Sequence, residues 1–487
     1  MSSILTDTLK RDLVQKLFNE NEGTRVGDSD NNYYIAIGRS EVWSDPTNAS
    51  VNDTTIPGFS VNKRDEREFR YRMQSVKAVE AFSWVVPKRD WTAGDTYYEF
   101  SDWETTNHPA AQSPYVITED NNVYVCIRSN KNAAGEEQPS DQKPDHTNNT
   151  LTLETDGYIW KYLYTISTPD ANSFMTAAWM PCKYVDSAAA GDPYYGQYLA
   201  KTGAAAGSIV AYDVINGGTG YSNTSGAITL SVVGNGSGAT CRAIVQSNGV
   251  IGHVMIGDSA GVGVDITKPT FNAALGSGYD YANVKITINS GGGSGAIIKP
   301  VFAPVNGLGY NPIEDLKANA IMFNIKPEAD EQVNGSPTFV VDQDYRQVGL
   351  LRNPLNFDSD NDVTKFTGLS GLALKQMKLD GQYTGLTFRT PDTISKTGGT
   401  AKALLDWSDA GSPTRIWYHQ DDITTGFEAF ANGDTISIGA TSGITADSAA
   451  IRPDVNPHSG DLLFLSNIEP ITRDAVQTED IKVVIRL

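Results

Sequence analysis

Long apolar runs are missing from this chain of 487 residues. Nowhere do about 18 consecutive apolar residues occur, the length a membrane-spanning helix requires, so no membrane partner is expected. Cysteine is scarce: Cys126, Cys182 and Cys241 stand far apart, form no C-x-x-C, and are odd in number. That pattern fits a reducing compartment better than a disulfide framework. Histidines fall singly at positions 108, 146, 253, 419 and 458, with no H-E-x-x-H and no pair at ligand spacing. No G-x-S-x-G elbow and no Walker loop is present. The run Asp358–Asp362 starts like a calcium loop, then fails, with Val363 where glycine is required and Leu369 where the bidentate glutamate belongs. Basic charge is outweighed, 38 Lys and Arg against 58 Asp and Glu, for a net charge of −20. Nucleic acid is therefore not an expected partner, because phosphate binding rests on clustered Lys and Arg. These absences nominate no catalytic residue, metal or cofactor, and nothing in the residues asks for an enzyme. The charged residues Asp7, Lys10, Arg11 and Asp12 near the N-terminus exclude a signal peptide, so synthesis in a cytoplasm is expected.

What is abundant points to β structure. Glycine numbers 45, alongside many Thr, Val and Tyr, and the length implies about two to four domains. The expected class is mainly β with a few helices (α+β), as several β-sandwich-like domains. One amphipathic helix is expected over residues 4–20, with Leu5, Leu9, Leu13, Leu17 and Phe18 at helical spacing and Thr6 or Asp7 as cap. It packs on its own domain or on a partner helix. Arg64–Arg72 interleaves acids and bases, the pattern of a solvated helix face with i,i+4 pairs.

Two stretches share a plan of strand, break, Arg, acid and Trp. Tyr33–Ile37 is a buried strand, broken at Gly38 and followed by Arg39, Ser40, Glu41 and Trp43, with a turn at Asp45-Pro46. Ala81–Val86 runs into Pro87 and then Lys88, Arg89, Asp90 and Trp91. Arg39, Glu41, Trp43, Arg89, Asp90 and Trp91 are therefore the candidate site residues. They either pin loops within the subunit or anchor a partner. Scaffolding is expected of Arg39 and Glu41, and Trp43 is the member expected to reach outward.

Tyr115–Arg128 reads as a hairpin about an Asp-Asn-Asn turn. In Asp156–Ile166, alternation sets Tyr158, Trp160, Tyr162 and Tyr164 on one face, as core packing or as a sugar platform. Beyond about Gly203 an internal repeat emerges. Gly217–Tyr221 and Gly234–Ala239 recur as Leu275–Tyr279 and Gly291–Ala296, the tyrosines 58 residues apart and the Ser-Gly-Ala triplets 57. These glycines precede strands rather than helices, which argues against a phosphate cradle.

Five segments together resemble the wedge subunit encoded by gene eight in T-even-like contractile-tailed phages. They are Ile37-Gly-Arg-Ser-Glu-Val-Trp-Ser44, Val86-Pro-Lys-Arg-Asp-Trp91, Asp156-Gly-Tyr-Ile-Trp-Lys-Tyr-Leu163, Arg346–Leu355 and Ser459–Leu487. Their order is the family's, and the likeness covers roughly residues 30–190, 305–375 and 456–487. The chain departs from the family in having Val42 in place of a proline and a longer turn at Trp91–Asp95. The resemblance implies a non-enzymatic, β-rich structural protein of the virion tail baseplate, assembled in the host cytoplasm. It also implies a homodimer that binds other baseplate wedge proteins. In that family the first and last segments share one domain. The implied division is residues 1–100 with 305–375 and 453–487 as a shared core, and 101–202 as a β-rich middle domain. Residues 203–304 and 376–452 are then glycine-rich β-modules inserted relative to shorter members. The alternative is a receptor- or glycan-binding tail protein, favoured by the Gly-Tyr repeats, or further off a polysaccharide-degrading tail enzyme.

Overall fold

The computed structural model describes residues 6–22, 31–44, 48–59, 61–102, 114–257, 274–328, 332–333, 336–339, 341, 343–357, 363–381, 392–409, 414–447, 452–474 and 476–486. The Asp45-Pro46 turn and the acidic run 358–362 lie outside them. The chain is mainly β with a few helices, its strands assembled into several antiparallel sheets. No helix among the described residues is long and apolar enough to cross a membrane. Contacts divide the chain into two compact units. One comprises residues 1–11, 83–320 and 486–487, the other residues 12–82 and 321–485.

The first unit contains a four-stranded sheet ordered Tyr115–Ile117, Asn122–Arg128, Ile159–Thr165, Leu151–Leu153. The Asp-Asn-Asn turn forms as expected, with Asn121 in the left-handed region at φ 59° that asparagine tolerates. The aromatic strand is core. Tyr97, Tyr124, Tyr158, Trp160 and Tyr162 pack as one buried cluster, with Tyr158 stacked on Trp160 at 5.8 Å, so no sugar platform is offered there.

The repeat in the same unit has a structural reason. Strand Ser237–Ala239 pairs with Leu275–Ser277, and Ser294–Phe302 pairs with Ile209–Thr219. Each Gly-Tyr segment thus lies against the Ser-Gly-Ala of the other repeat, related by an approximate two-fold axis through the pair Ile228–Gly234 and Ala282–Ile288. Tyr221 Oη accepts from Ala296 N at 3.3 Å, and its counterpart Tyr279 Oη accepts from Ala239 N at 3.4 Å. Both rings are buried. Glycine is required beneath each. Gly218 (φ +63°) and Gly276 (φ +63°) would place a Cβ 2.4 and 2.5 Å from backbone atoms and 2.8 Å from the tyrosine ring.

In the second unit a five-stranded antiparallel sheet is ordered Ser370–Leu372, Met73–Ala78, Tyr33–Gly38, Gln343–Arg352, Asp461–Arg473. Its central strand, Tyr33–Gly38, is buried along its length. A six-stranded antiparallel sheet runs Lys375–Lys378, Arg415–His419, Lys402–Ser408, Thr393–Lys396, Thr435–Ile438, Thr441–Thr445, over a core that includes Met377, Ile394, Ile416 and Ile436.

The charged run forms the helix Asn62–Tyr71. Lys63–Glu66 (3.2 Å), Arg64–Glu68 (2.7 Å) and Arg70–Glu66 (3.0 Å) pair along it. It is not solvated all round, however. Phe69 and Arg70 are buried, and Arg70 donates to the carbonyls of Pro457, Ser459 and Gly460 at 2.6–3.0 Å. The N-terminal helix spans Asp7–Glu22 with Thr6 Oγ1 accepting from Leu9 N at 3.3 Å, while Leu9 and Leu13 stay exposed.

Candidate functional site

The second unit gathers a buried ionic cluster around Arg39 and Glu41. Three sheet irregularities present it. The register shifts at Ile37/Gly38, at Tyr345/Gln347 and at Leu405/Trp407, so Arg39, Arg346 and Asp406 all sit at or beside bulges. A bulge breaks the alternation of a strand and re-aims one side chain, here a charged one in each case. At Gly38 the backbone approaches so closely that a Cβ would lie 2.7 Å from the carbonyl oxygen of Arg72. Arg39 follows in the left-handed region at φ 67° and donates its amide to that same carbonyl at 3.0 Å.

Arg39 is enclosed but loosely held. Its guanidinium lies 4.1 Å over the Trp43 ring and 4.0 Å from Glu41 Oε1, and its Nε has no hydrogen-bond partner among the described residues. Burial pushes it down to about 10 against the opposing pull of Glu41. Ser40 Oγ donates to Asp406 Oδ1 at 2.6 Å. Arg346, 2 % exposed, donates to the Ser40 carbonyl at 2.6 Å, to both oxygens of Asp53 at 2.9 Å, and to Asp344 Oδ2 at 3.0 Å.

Trp43 corrects an expectation. It does not reach outward: it is 5 % exposed, its indole Nε1 donates to Ile468 O at 3.0 Å, and its amide donates to Asp53 Oδ1 at 2.9 Å.

Glu41 is the hub. Its Oε1 accepts from Arg72 Nε, and its Oε2 faces His419 Nε2 at 3.6 Å. Burial works to raise the Glu41 carboxyl, but His419, Arg72 and Arg39 together hold it below its ordinary value. Arg72 extends its other nitrogens to Asp421 Oδ2 at 3.3 Å and Glu68 Oε2 at 3.7 Å. Burial would lower Arg72, yet Glu41, Asp421 and Glu68 outweigh it and raise the group. His419 Nδ1 lies 2.7 Å from Asp406 Oδ2. Asp421 Oδ1 takes the amides of Ile423, Thr424 and Thr425, which fixes the carboxylate on a tight turn. Glu41, His419 and Asp421 each bring a donor atom within 4.8 Å of the others, the arrangement of a possible cation ligand set.

The second trio belongs to the first unit, so the six candidate residues form two sites rather than one. There Lys88 Nζ pairs with Asp90 Oδ1 at 2.7 Å. The backbone does the pinning. Ile117 N donates to Arg89 O at 2.7 Å, and Trp91 N donates to Ile117 O at 2.9 Å. Trp91, half-buried, packs on the aromatic cluster and donates through Nε1 to Ser140 Oγ at 3.3 Å.

Sequence reasoning missed Arg72, Arg346, Asp406, His419 and Asp421. Arg72 lay in the charged run and Arg346 opens a wedge-like segment, whereas nothing local marked the others. Comparison with protein-family models and with curated proteins finds no match for this chain.

Proposed function

We propose that the chain is a structural subunit of a contractile-tail baseplate wedge, homodimeric and bound to neighbouring wedge proteins in the virion. One observation carries the reading. The wedge-like segments Ile37–Ser44, Arg346–Leu355 and Ser459–Leu487 are remote in sequence, yet part of each lies in one of three adjacent strands of one sheet, Tyr33–Gly38, Gln343–Arg352 and Asp461–Arg473. Their polar residues also bond to one another: Arg346 donates to the Ser40 carbonyl, and Trp43 donates to that of Ile468. Burying so many charged groups in loop pins suits a part whose surfaces must hold their shape while others dock on them. The exposed Leu9 and Leu13 of the helix Asp7–Glu22 add an apolar stripe that a partner helix could cover.

The glycan-binding alternative loses its main support, because Tyr221 and Tyr279 of the Gly-Tyr repeats are buried packing residues. The test is mass spectrometry of purified tails joined to a cryo-EM map of the baseplate. Density for this chain within the wedge ring is expected. Its absence from tails, or a position confined to fibre tips, would overturn the reading.

A further inference from the structure

We propose that His419 Nε2, Glu41 Oε2 and a carboxylate oxygen of Asp421 form a divalent-cation site, with zinc the fitting ion. Their donor atoms all lie within 4.8 Å of one another. The site stands whether or not the chain is a wedge subunit.

Two unpartnered atoms carry the argument. His419 is 4 % exposed, and neither its Nε2 nor Glu41 Oε2 has a hydrogen-bond partner among the described residues. They face each other at 3.6 Å, too far for a hydrogen bond. That spacing is close to the edge between two ligands that each sit about 2.0–2.2 Å from one metal ion. Asp406 Oδ2 lies 2.7 Å from Nδ1, which leaves Nε2 as the nitrogen aimed at Glu41 Oε2. A carboxylate behind a metal-bound imidazole is also the usual means of orienting such a ligand.

Rigidity agrees. Arg72 already grips Glu41 Oε1, and the 423–425 amides grip Asp421 Oδ1, so the ligands are positioned before any ion arrives. One imidazole nitrogen with two carboxylate oxygens suits zinc, which tolerates a mixed set and completes its shell with water. Bound there, the ion would tie the loop after Tyr33–Gly38 to the end of Arg415–His419 in the six-stranded sheet.

The full chain, stripped with EDTA and dialysed, is titrated with zinc sulfate by calorimetry, with bound zinc counted by elemental analysis. One zinc per chain and a higher melting temperature are expected. Asp406→Asn leaves all three ligands in place and should weaken binding by about 10- to 100-fold. Glu41→Gln should abolish it. Should a variant fail to fold, cobalt added to the wild-type chain serves instead, since a site of this kind gives visible absorption bands. Binding no zinc at micromolar concentration, showing no cobalt bands, or binding zinc unchanged in both variants would each overturn the proposal.

Discussion

Replacing Arg346 with methionine should loosen the loop Ser40–Trp43 far more than removing Arg39, the residue its sequence makes conspicuous. Arg346 donates four hydrogen bonds to charged or carbonyl oxygens from a position 2 % exposed. Methionine fills much of the same volume but takes the charged donor from Oδ2 of Asp344, 8 % exposed, whose Oδ1 keeps Thr472 Oγ1, and takes the donor from the Ser40 carbonyl. Removing one partner from a buried ion pair costs about 3–5 kcal/mol. The Asp53 side chain is 28 % exposed and regains water, so the lower end, about 3 kcal/mol, applies. Arg39 makes a 3.4 Å bond to the Val42 carbonyl, its stacking on Trp43 and a long 4.0 Å ion pair to Glu41, which keeps Arg72 as its closer partner, together about 1–2 kcal/mol. Because a chain with two compact units need not unfold in one step, the assay should be local. Native-state hydrogen exchange, read on peptides spanning 33–44 and 343–352 in EDTA, meets that need. At 1.4 kcal/mol per tenfold, Arg346→Met should speed exchange by about two orders of magnitude, and Arg39→Ala by about one. The reasoning fails if Arg346→Met accelerates those peptides no more than Arg39→Ala does.

Gly276→Ala and Gly218→Ala should destabilise the repeat module equally, by about 2–4 kcal/mol from overpacking and left-handed backbone together. Gly191→Ala, with positive φ but open space, should cost only the backbone part in the same thermal melts. Burial, with Asp145 and Asp156 nearby, raises Glu154 to about 7, so the folded state binds this proton more tightly than the unfolded chain. Its stabilising contribution is full below about 4.5 and is lost as pH rises through 7. Glu154→Gln should therefore raise the melting temperature at pH 8 and leave it unchanged at pH 4.5. The thiols of Cys126, Cys182 and Cys241 are buried, and burial pushes all three upward, Cys241 to about 12. A thiol reagent at pH 8 should leave the native chain nearly unlabelled and modify all three cysteines after denaturation; fast native labelling would contradict the packing.

The sequence alone settled whatever depends on near neighbours. Alternation and β-rich composition led to a mainly β chain. Asp120-Asn121 marked a turn, and the 57- and 58-residue periods marked a duplicated module. Each of these is a property of a few consecutive residues, or of a pattern that repeats. Arg39, Glu41 and Trp43 were legible as a cluster for the same reason, since they lie on one short loop. Their roles were not legible. Trp43 read as an outward residue because a tryptophan beside charges resembles an anchor, and only the strand Asp461–Arg473 passing over it turns it inward. Arg346, Asp406, His419 and Asp421 lie roughly 300–380 residues beyond Glu41 in the chain. They join it through cross-strand pairing and bulges, which are relations between strands and leave no local signature. The facing of His419 Nε2 and Glu41 Oε2 is therefore a decision of tertiary structure: strand register, not sequence spacing, brings an imidazole to within 3.6 Å of a carboxylate.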